Sequence, residues 1–414
     1  SPCRQRPHGD FFWWAQITND AAAAKPARFM KRENENMGIS RRSIMKGAAF
    51  SALASGATFT AARASAAAPG QDVSMQSDGG YATVPLAKDA ITLGVVQSRV
   101  VPVDLANLKQ SRMANVQHMA DLIDRANGLV EHDLLFFHEF PVTGYYHGWN
   151  IDDARKVAIE LPGPETEILA RKAREYGCWL VFGSYVRDPA WPKSLLSITT
   201  IMNDRGEIVD RHWKARNLKG FFGGRKELFT TTIYDVLDRY VEMYGPDAVI
   251  PVTRTPIGNI STSSTQKEPE LFRAMAMKGA EMILRTATGG FTPLDMQATS
   301  LYNGVYTAVA NNAASPENDR YFADTGGGGS AIYGPDGAEV ASAKLAFETL
   351  VSHRVPIAAF RARHRQPVVH SELFMPVYER YRSQYGPNLF DAYQPTDALD
   401  AGRYLQDKAR WPKR

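Results

Sequence analysis

Residues 255–280 read TPIGNISTSSTQKEPELFRAMAMKGA, and this stretch decides the fold class. The apolar and β-branched residues that start it predict a short buried strand, and the run from Pro269 has the spacing of a helix that begins with Pro-Glu. A strand that turns tightly into a helix is a place where α/β proteins present a nucleophile. Here the turn, residues 263–267, which we call the elbow, carries Ser-Ser-Thr-Gln-Lys and no cysteine.

Strand and helix patterns alternate on both sides of the elbow, which predicts one α/β domain over residues 90–365. Short apolar runs predict strands at 91–97, 133–137, 179–185, 195–203, 207–214, 282–285, 306–311 and 330–333. Amphipathic spacing predicts helices at 107–129, 165–176, 231–244, 269–280 and 294–304. The sequence shows no repeat of solenoid period.

Composition excludes several classes of protein. The chain has 414 residues, 44% of them hydrophobic and 22% charged, as in ordinary globular proteins. A net charge of +4 without a basic run does not indicate nucleic-acid binding. Of the two cysteines, Cys3 lies in a segment expected to be removed, and a single remaining cysteine forms neither a disulfide nor a multi-cysteine zinc site. The nine histidines show no metal-ligand spacing, so we predict no metal and no cofactor.

The N-terminal part of the sequence has the three parts of an export signal in order. Residues 40–46 read SRRSIMK, a mildly apolar run follows at 47–62, and Ala-Ser-Ala occupies 64–66. Paired arginines, a weak apolar region and a small-residue cleavage site are typical of a twin-arginine signal. The apolar run is too short and too poor in large residues for a membrane span. We predict cleavage after Ala66, no stable membrane anchor, and a periplasmic or secreted protein.

The regions outside the domain have distinct compositions. We predict an N-terminal extension and signal at 1–66, a linker at 67–89 and a C-terminal arm at 366–414. The linker is rich in Gly, Ser, Ala and Gln. The arm is rich in Tyr, Arg and Pro, and we expect it to wrap either a partner or the domain. Residues 225–250 form an insert that shapes either a pocket mouth or a subunit contact.

Two charged residues stand directly after predicted strands. Glu139 in DLLFFHEFPVTGYY (133–146) follows a buried strand, where α/β folds keep their sites, and burial suits a carboxylate there to general-base work. The alternative is a structural hydrogen bond. Lys214 in GEIVDRHWKARN (206–217) closes a strand, and its ammonium suits the stabilisation of an oxyanion. The alternative is a solvated surface lysine.

These motifs resemble the nitrilase (carbon–nitrogen hydrolase) superfamily, over most of residues 90–340. The downstream segments MKGAEMILRTATGG (277–290), YTAVANNAA (306–314) and GGSAIYGPDG (328–337) are most similar to its aliphatic amidase and formamidase branch. The resemblance implies an α-β-β-α sandwich of one domain. It also implies that Glu139 is the base, that Lys214 is the catalytic lysine, and that the substrate is a small amide or nitrile-like molecule.

The elbow departs from that resemblance, because superfamily members attack with a cysteine there. Counted from Gly258 the cysteine position falls on Thr265, and counted from Pro269 it falls on Ser263, with Ser264 between them. Cys178 lies in an early strand motif, where a small core residue is expected. A loop glutamate of the aliphatic amidases is also replaced, since LKGFFGG (218–224) puts Lys219 at its place.

The resemblance implies further site residues and a subunit arrangement. We predict Tyr145, Lys219 and Asn311 as substrate contacts. For Asn311 and its neighbour Asn312 the alternative is a buried amide network. Superfamily members pair through helices near the elbow, so we expect a homodimer or a higher homo-oligomer.

Two functions follow from the sequence. The first is an exported hydrolase of non-peptide carbon–nitrogen bonds, in which Ser263, Ser264 or Thr265 replaces the thiol. A hydroxyl is a weaker nucleophile than a thiol and needs a well-placed base. The second is a catalytically inactive protein on the same fold, which binds a small amide or carboxylate or has a structural role.

Overall fold

The computed structural model describes residues 75–220, 223–314 and 327–412 of the chain. The predicted twin-arginine signal and its cleavage site, and the first part of the predicted linker, lie outside the described residues. Within those ranges, no helix is both long enough and apolar enough to cross a membrane.

The described part of the chain contains two six-stranded β-sheets. Its strands are β1 (Ile91–Gln97), β2 (Leu134–Phe137), β3 (Trp179–Val186), β4 (Leu196–Met202), β5 (Ile208–Trp213), β6 (Thr253–Thr255), β7 (Gly258–Ser263), β8 (Met282–Thr286), β9 (Tyr306–Ala310), β10 (Ala331–Tyr333), β11 (Glu339–Ser342) and β12 (Thr349–Val355). The first sheet has the order β12-β1-β2-β3-β4-β5, and the second has the order β11-β10-β9-β8-β7-β6.

Some helices pack on the outer faces of the sheets, and others lie beside the layer between the sheets or in the C-terminal arm. They are α1 (Leu108–Leu129), α2 (Ile151–Val157), α3 (Pro164–Tyr176), α4 (Leu237–Tyr244), α5 (Pro269–Met277), α6 (Pro293–Asn303), α7 (Ile357–Arg363), α8 (Met375–Tyr378) and α9 (Ala398–Gln406). Short 3-10 turns occupy Leu105–Asn107, Tyr234–Val236, Pro246–Val249, Ser371–Leu373 and Lys408–Arg410.

Side chains that alternate along the buried strands fill three apolar layers. On β2, Leu134 and Phe136 pack between the two sheets. Leu135 and Phe137 point the other way and pack with residues of α1 and α3. On the second sheet, Ile283 packs with residues of α5. The architecture is therefore an α-β-β-α sandwich, and the fold class predicted from the sequence is confirmed.

Strand directions bring several chain segments to the same edges of the sheets. Strands β1, β2 and β3 are parallel, and β5 runs in the direction of β3 because β4 is antiparallel to both. In the second sheet, β7, β8 and β9 are parallel. The carboxyl ends of β2 and β5 therefore lie at one edge of the first sheet, and those of β7 and β8 lie at one edge of the second.

The described part of the predicted linker, residues 75–89, docks on the second sheet. The Tyr81 hydroxyl donates to Glu281 at 2.8 Å, and the Arg361 guanidinium donates to the Val84 carbonyl at 2.7 Å. Glu281 is fully buried and also forms a bidentate ion pair with Arg361. This part of the chain thus has fixed contacts with the domain.

The C-terminal arm wraps its own domain over much of its length. Its backbone N–H groups at Asn388 and Phe390 donate to the carbonyls of Tyr234 and Asp235, at 2.9 and 3.0 Å. The Thr396 carbonyl accepts from the backbone of Ile151 at 2.7 Å. Of the two predicted alternatives for the arm, these contacts favour the domain. The arm covers the predicted insert, whose residues 226–230 line a cavity described below.

Candidate active site

Glu139 and Lys214 form an ion pair at the edge of the first sheet. Lys214 Nζ donates to Glu139 Oε1 at 2.9 Å, and the two side chains are 13% and 10% exposed. Charges this far removed from water need a close partner to offset their desolvation. The structure therefore brings the two predicted charged residues of the site together, although 75 residues of chain separate them.

Thr288 is a third member of this cluster and comes from the other sheet. It follows β8, and its hydroxyl Oγ1 donates to Glu139 Oε2 at 3.1 Å. Both oxygens of Glu139 thus have a partner, one cationic and one neutral. Sequence reasoning missed Thr288, although its position after a buried strand was a signal of the same kind as that of Glu139.

The backbone at Glu139 is fixed by its neighbours. His138 is buried, and burial lowers the pKa of its imidazole to about 4. Its Nδ1 accepts from the Phe140 N–H at 3.1 Å, so Nε2 carries the proton and faces the Arg99 carbonyl at 3.3 Å. Gly183 on β3 lies against Glu139 so closely that a Cβ there would be 2.2 Å from the Glu139 carbonyl oxygen. These contacts give the carboxylate one position.

The three candidate nucleophiles lie at the end of β7 in different environments. Ser263 is buried, and its Oγ accepts from the Thr265 N–H at 3.0 Å. Thr265 is buried with its Oγ1 unpartnered, whereas Ser264 is partly exposed. Among the described residues, none of these hydroxyls hydrogen-bonds to Glu139 or Lys214. The hydroxyl that does contact Glu139 is that of Thr288.

A buried arginine fixes the backbone of the elbow. Arg285 on β8 is 1% exposed and donates to the Thr265 carbonyl at 2.6 Å. It also pairs with Asp295 at 2.9 Å, and its guanidinium lies over the Phe272 ring at 3.9 Å. Asp295 in turn accepts from the Lys267 N–H at 3.0 Å, where the backbone has a positive φ of 55°. Burial lowers the pKa of Arg285 to about 10, and the nearby Asp295 opposes that shift.

A second arginine holds the elbow from the first sheet. Arg216, which follows Lys214 by two residues, donates to the Gln266 carbonyl at 3.2 Å and pairs with Glu268. Two arginines therefore bind successive carbonyls of the elbow. Sequence reasoning did not identify either contact with the elbow, because the partners lie 20 and 50 residues away along the chain.

The structure gives Lys219 a different role from the predicted substrate contact. Its Nζ pairs with Asp235 at 2.9 Å, with the two side chains 8% and 1% exposed, and it lies 4.9 Å from the centre of the Phe390 ring. Asp235 also accepts from the Thr232 hydroxyl at 2.5 Å. This ammonium is committed to the contact between the insert and the C-terminal arm, and the structure does not place it as a substrate contact.

Asn311 is part of a buried amide network. Its Nδ2 donates to the Gly328 carbonyl at 2.9 Å and faces the Gly289 carbonyl at 3.4 Å. The neighbouring Asn312 accepts from the Gly289 N–H at 2.6 Å. Of the two alternatives for these asparagines, the contacts favour the network, which holds the loop that carries Thr288.

Tyr145, the remaining predicted contact, lines a cavity of about 220 Å³ beside the cluster. Tyr185 and Glu227 line it too, whereas Glu139 is outside its lining in the described part of the chain. Burial raises the pKa values of both tyrosines, and the charge of Glu139 raises them further, so the carboxylate lies close to this wall. A larger cleft of about 480 Å³ is lined by residues of the segment 341–352.

The structure offers neither a reactive thiol nor a metal site among the described residues. Cys178 is fully buried in the core, and burial raises the pKa of its thiol to about 12. The thiolate, which is the reactive form, is therefore disfavoured at neutral pH. No three His, Cys, Asp or Glu side chains of the described ranges are grouped so that they would hold a metal ion.

Comparisons with known proteins agree with the fold. The family model described as carbon-nitrogen hydrolase matches residues 92–365. A bifunctional nitrilase/nitrile hydratase, NIT4B of Lupinus angustifolius, is 28% identical over 254 residues, which are 53% of this chain and 67% of that protein. The NitFhit protein of C. elegans has a TM-score of 0.52 at 18% identity and shares the fold over 72% of this chain and 66% of its own.

An amidase from Nesterenkonia sp. AN1, solved as a variant in complex with acrylamide, is similar at a TM-score of 0.48 and 18% identity, over 72% of this chain and all of its own. The family model covers well over half of the sequence, from the start of β1 to just beyond α7. The protein therefore belongs to the carbon-nitrogen hydrolase family.

Proposed function

We propose that the protein hydrolyses a non-peptide carbon–nitrogen bond of a small amide. The observation that carries this proposal is the cluster of Glu139, Lys214 and Thr288, which joins the two sheets beside the elbow and the cavity. Family membership supports the class of reaction, and the neighbouring amidase and nitrilase relatives support the class of substrate.

Each charged group has a chemical role in this proposal. Glu139 accepts a proton from the attacking hydroxyl, and its burial next to Lys214 keeps it out of bulk water. The Lys214 ammonium stabilises the negative charge that develops on the amide oxygen. Thr288 holds the second oxygen of Glu139, so that the carboxylate keeps its orientation.

The nucleophile in this proposal is an elbow hydroxyl. Ser263 keeps its hydroxyl proton available for donation, because its Oγ accepts from a backbone N–H. Thr265 has a buried hydroxyl oxygen without a partner, which a substrate would satisfy. A hydroxyl at this position reacts more slowly than a thiol, so we expect low turnover.

A second function is favoured by one specific observation. Glu139 and Lys214 satisfy each other, and the elbow hydroxyls make no hydrogen bond to either of them in the described structure. Such an arrangement suits a nitrilase-fold protein that binds a small amide or carboxylate without turnover. Removal of one charge would then impair binding through the uncompensated charge that remains.

Ammonia release from a panel of small amides and nitriles separates the two functions. Glu139→Gln and one of Ser263→Ala, Ser264→Ala and Thr265→Ala should abolish release, while Ser383→Ala, which changes an exposed serine, should not. No release from any compound, together with saturable binding of an amide by the unchanged protein, would favour the second function.

We also propose that the protein acts as a homo-oligomer outside the cytoplasm. Exposed apolar side chains in the C-terminal arm support self-association: Val368, Leu373, Met375, Val377, Tyr378 and Tyr381. Light scattering on the purified protein tests the oligomeric state. Cell fractionation tests the location, which rests on the twin-arginine pattern in the sequence.

A further inference from the structure

The cavity beside Glu139 has walls of a consistent chemistry. Its lining includes the aromatic side chains of Tyr145, Tyr146, Trp149, Tyr185 and Phe229. Tyr146 and Trp149 meet edge to face at 6.0 Å, which holds the two rings in place. The faces of aromatic rings carry negative charge density and attract cations. At about 220 Å³ the cavity suits a small group, since pockets for drug-sized ligands start at roughly 300 Å³.

Glu227 is the acidic residue in the lining of this aromatic cavity. The residue is 1% exposed, and its backbone N–H donates to the Ala398 carbonyl at 2.9 Å. Oε1 accepts from the Gly220 N–H at 2.7 Å, whereas Oε2 is buried and has no hydrogen-bond partner among the residues that the structure describes. A buried carboxylate oxygen without a partner carries a desolvation cost that a ligand donor would remove.

The charges around Glu227 leave it without a committed cation. Lys219 is the nearest buried ammonium, and its charge lowers the pKa of Glu227, but it is paired with Asp235 at 2.9 Å. Lys226 lines the outer part of the cavity and is exposed to solvent. Burial is the larger effect and raises the pKa of the Glu227 carboxyl. The group is therefore short of positive charge in its immediate surroundings.

We infer that this cavity binds a protonated amine, and that the preferred substrates are small amides with an ammonium group at the end remote from the scissile bond. The ammonium donates to Glu227 Oε2 and lies against the aromatic walls, while the amide extends towards Glu139 and Lys214. Tyr145 and Tyr185 connect the two regions, since they line the cavity and their rings pack with that of Phe140, the residue after Glu139, at 5.7 and 4.5 Å. The substrate class rests on the proposed hydrolase function, whereas binding of the amine does not.

Calorimetric titration of the full chain tests the binding site without turnover. The probes are n-butylammonium and the neutral 1-butanol, in a Glu139→Gln background that removes the proposed base. We expect Glu227→Gln to weaken n-butylammonium binding at least tenfold and to leave 1-butanol unchanged. Glutamine keeps the oxygen that accepts from Gly220, so the loop retains its hydrogen bond. Glu242→Gln, at an exposed position, is the matched control and should change nothing.

A second variant addresses the aromatic wall separately from the charge. Tyr146→Leu removes one partly buried ring and keeps Glu227, so a several-fold loss of n-butylammonium affinity is expected. Equal affinity of the unchanged protein and Glu227→Gln for n-butylammonium, or no measurable binding of this ion to the unchanged protein, would overturn the inference.

Hydrolysis assays link the site to the reaction. We compare 4-aminobutanamide with pentanamide, which replaces the ammonium by a methyl group of similar size. The protein with an intact Glu139 should favour the aminoamide in kcat/KM by at least tenfold, and Glu227→Gln should remove that preference through KM. Hydrolysis of both amides at equal efficiency overturns the inference and leaves the hydrolase function intact. Glu227-dependent binding of n-butylammonium without hydrolysis of either amide supports the site and contradicts the hydrolase function.

Discussion

Replacement of Arg285 by methionine tests whether the buried arginine holds the elbow in place. The guanidinium makes four contacts that methionine loses: the Thr265 carbonyl at 2.6 Å, Asp295 at 2.9 Å, the Thr299 hydroxyl at 3.2 Å and the Phe272 ring at 3.9 Å. Burial lowers the pKa of Arg285 to about 10, so the fold disfavours its charged form by roughly 3 kcal/mol and these contacts mainly offset the desolvation of the arginine.

The cost of the variant comes chiefly from Asp295, whose side chain is 13% exposed and would lose its cationic partner. Removal of one partner of a buried ion pair costs about 3–5 kcal/mol. We therefore expect Arg285→Met to lower the free energy of unfolding by that amount, measured by urea denaturation. Addition of Asp295→Asn should recover about 1–3 kcal/mol, because the neutral amide no longer needs a cation and still accepts from the Lys267 N–H.

The control is Arg125→Met, at an exposed position on α1, which should change the free energy of unfolding by less than about 0.5 kcal/mol. A loss below about 1 kcal/mol for Arg285→Met would refute the reasoning. The reasoning would also fail if the double variant lost as much unfolding free energy as the two single variants together, because losses at independent sites add and losses at coupled sites do not.

Four shorter predictions concern other parts of the molecule. Thr288→Val should lower kcat for amide hydrolysis roughly tenfold with little change in melting temperature, because the Glu139 carboxylate loses a hydrogen bond worth about 1.5 kcal/mol. Glu227→Gln should raise the free energy of unfolding at pH 7. Because the pKa of the Glu227 carboxyl is raised in the fold, its ionisation destabilises the fold above that pKa, whereas below the pKa of the unfolded chain the carboxyl is protonated in both states and has no effect. Urea denaturation should therefore give converging free energies for the variant and the unchanged protein as the pH falls to 4. Cys178→Ala should keep full activity while it costs about 1–2 kcal/mol of stability. Loss of activity in the unchanged protein in proportion to labelling of its thiol would contradict this. N-terminal sequencing of the exported protein should give a start just after Ala66, and an uncleaved chain would rule out the predicted processing.

The sequence predicted the frame of the site better than its details. Local apolar patterns located β1, β2 and α1 to within one residue, because burial repeats at a fixed period along each element. The placement of Glu139 and Lys214 after strands followed from the same patterns. The resemblance of the surrounding motifs then predicted that the two side chains belong to one site, and the structure pairs them at 2.9 Å.

The residues that were missed or misassigned are those whose role depends on a distant partner. Lys219 was assigned by its position in a motif, and only the packing of the arm and the insert shows its pairing with Asp235. Glu227 follows a glycine-rich loop and has no local pattern that indicates a buried carboxylate. Arg285 lies in the middle of an apolar strand, and its partner Asp295 is on the following helix. Sequence periodicity indicates which residues are buried but does not identify their contacts across the fold.

The contacts of the elbow help to distinguish the two proposed functions. Buried ion pairs contribute little net stability, and apolar residues of similar size often replace them without loss. Arg285 and Arg216 nevertheless bind two successive elbow carbonyls, beside a Lys267 backbone in a strained left-handed conformation. A protein that only binds a small amide or carboxylate needs Glu139 and Lys214, but it does not need a fixed turn at the end of β7. A nucleophile does need one, because attack requires a hydroxyl held in one orientation to the amide carbon. The arginine contacts therefore favour the hydrolase. If this is so, Arg285→Met loses the rigidity of the elbow and lowers kcat together, while amine binding stays unchanged.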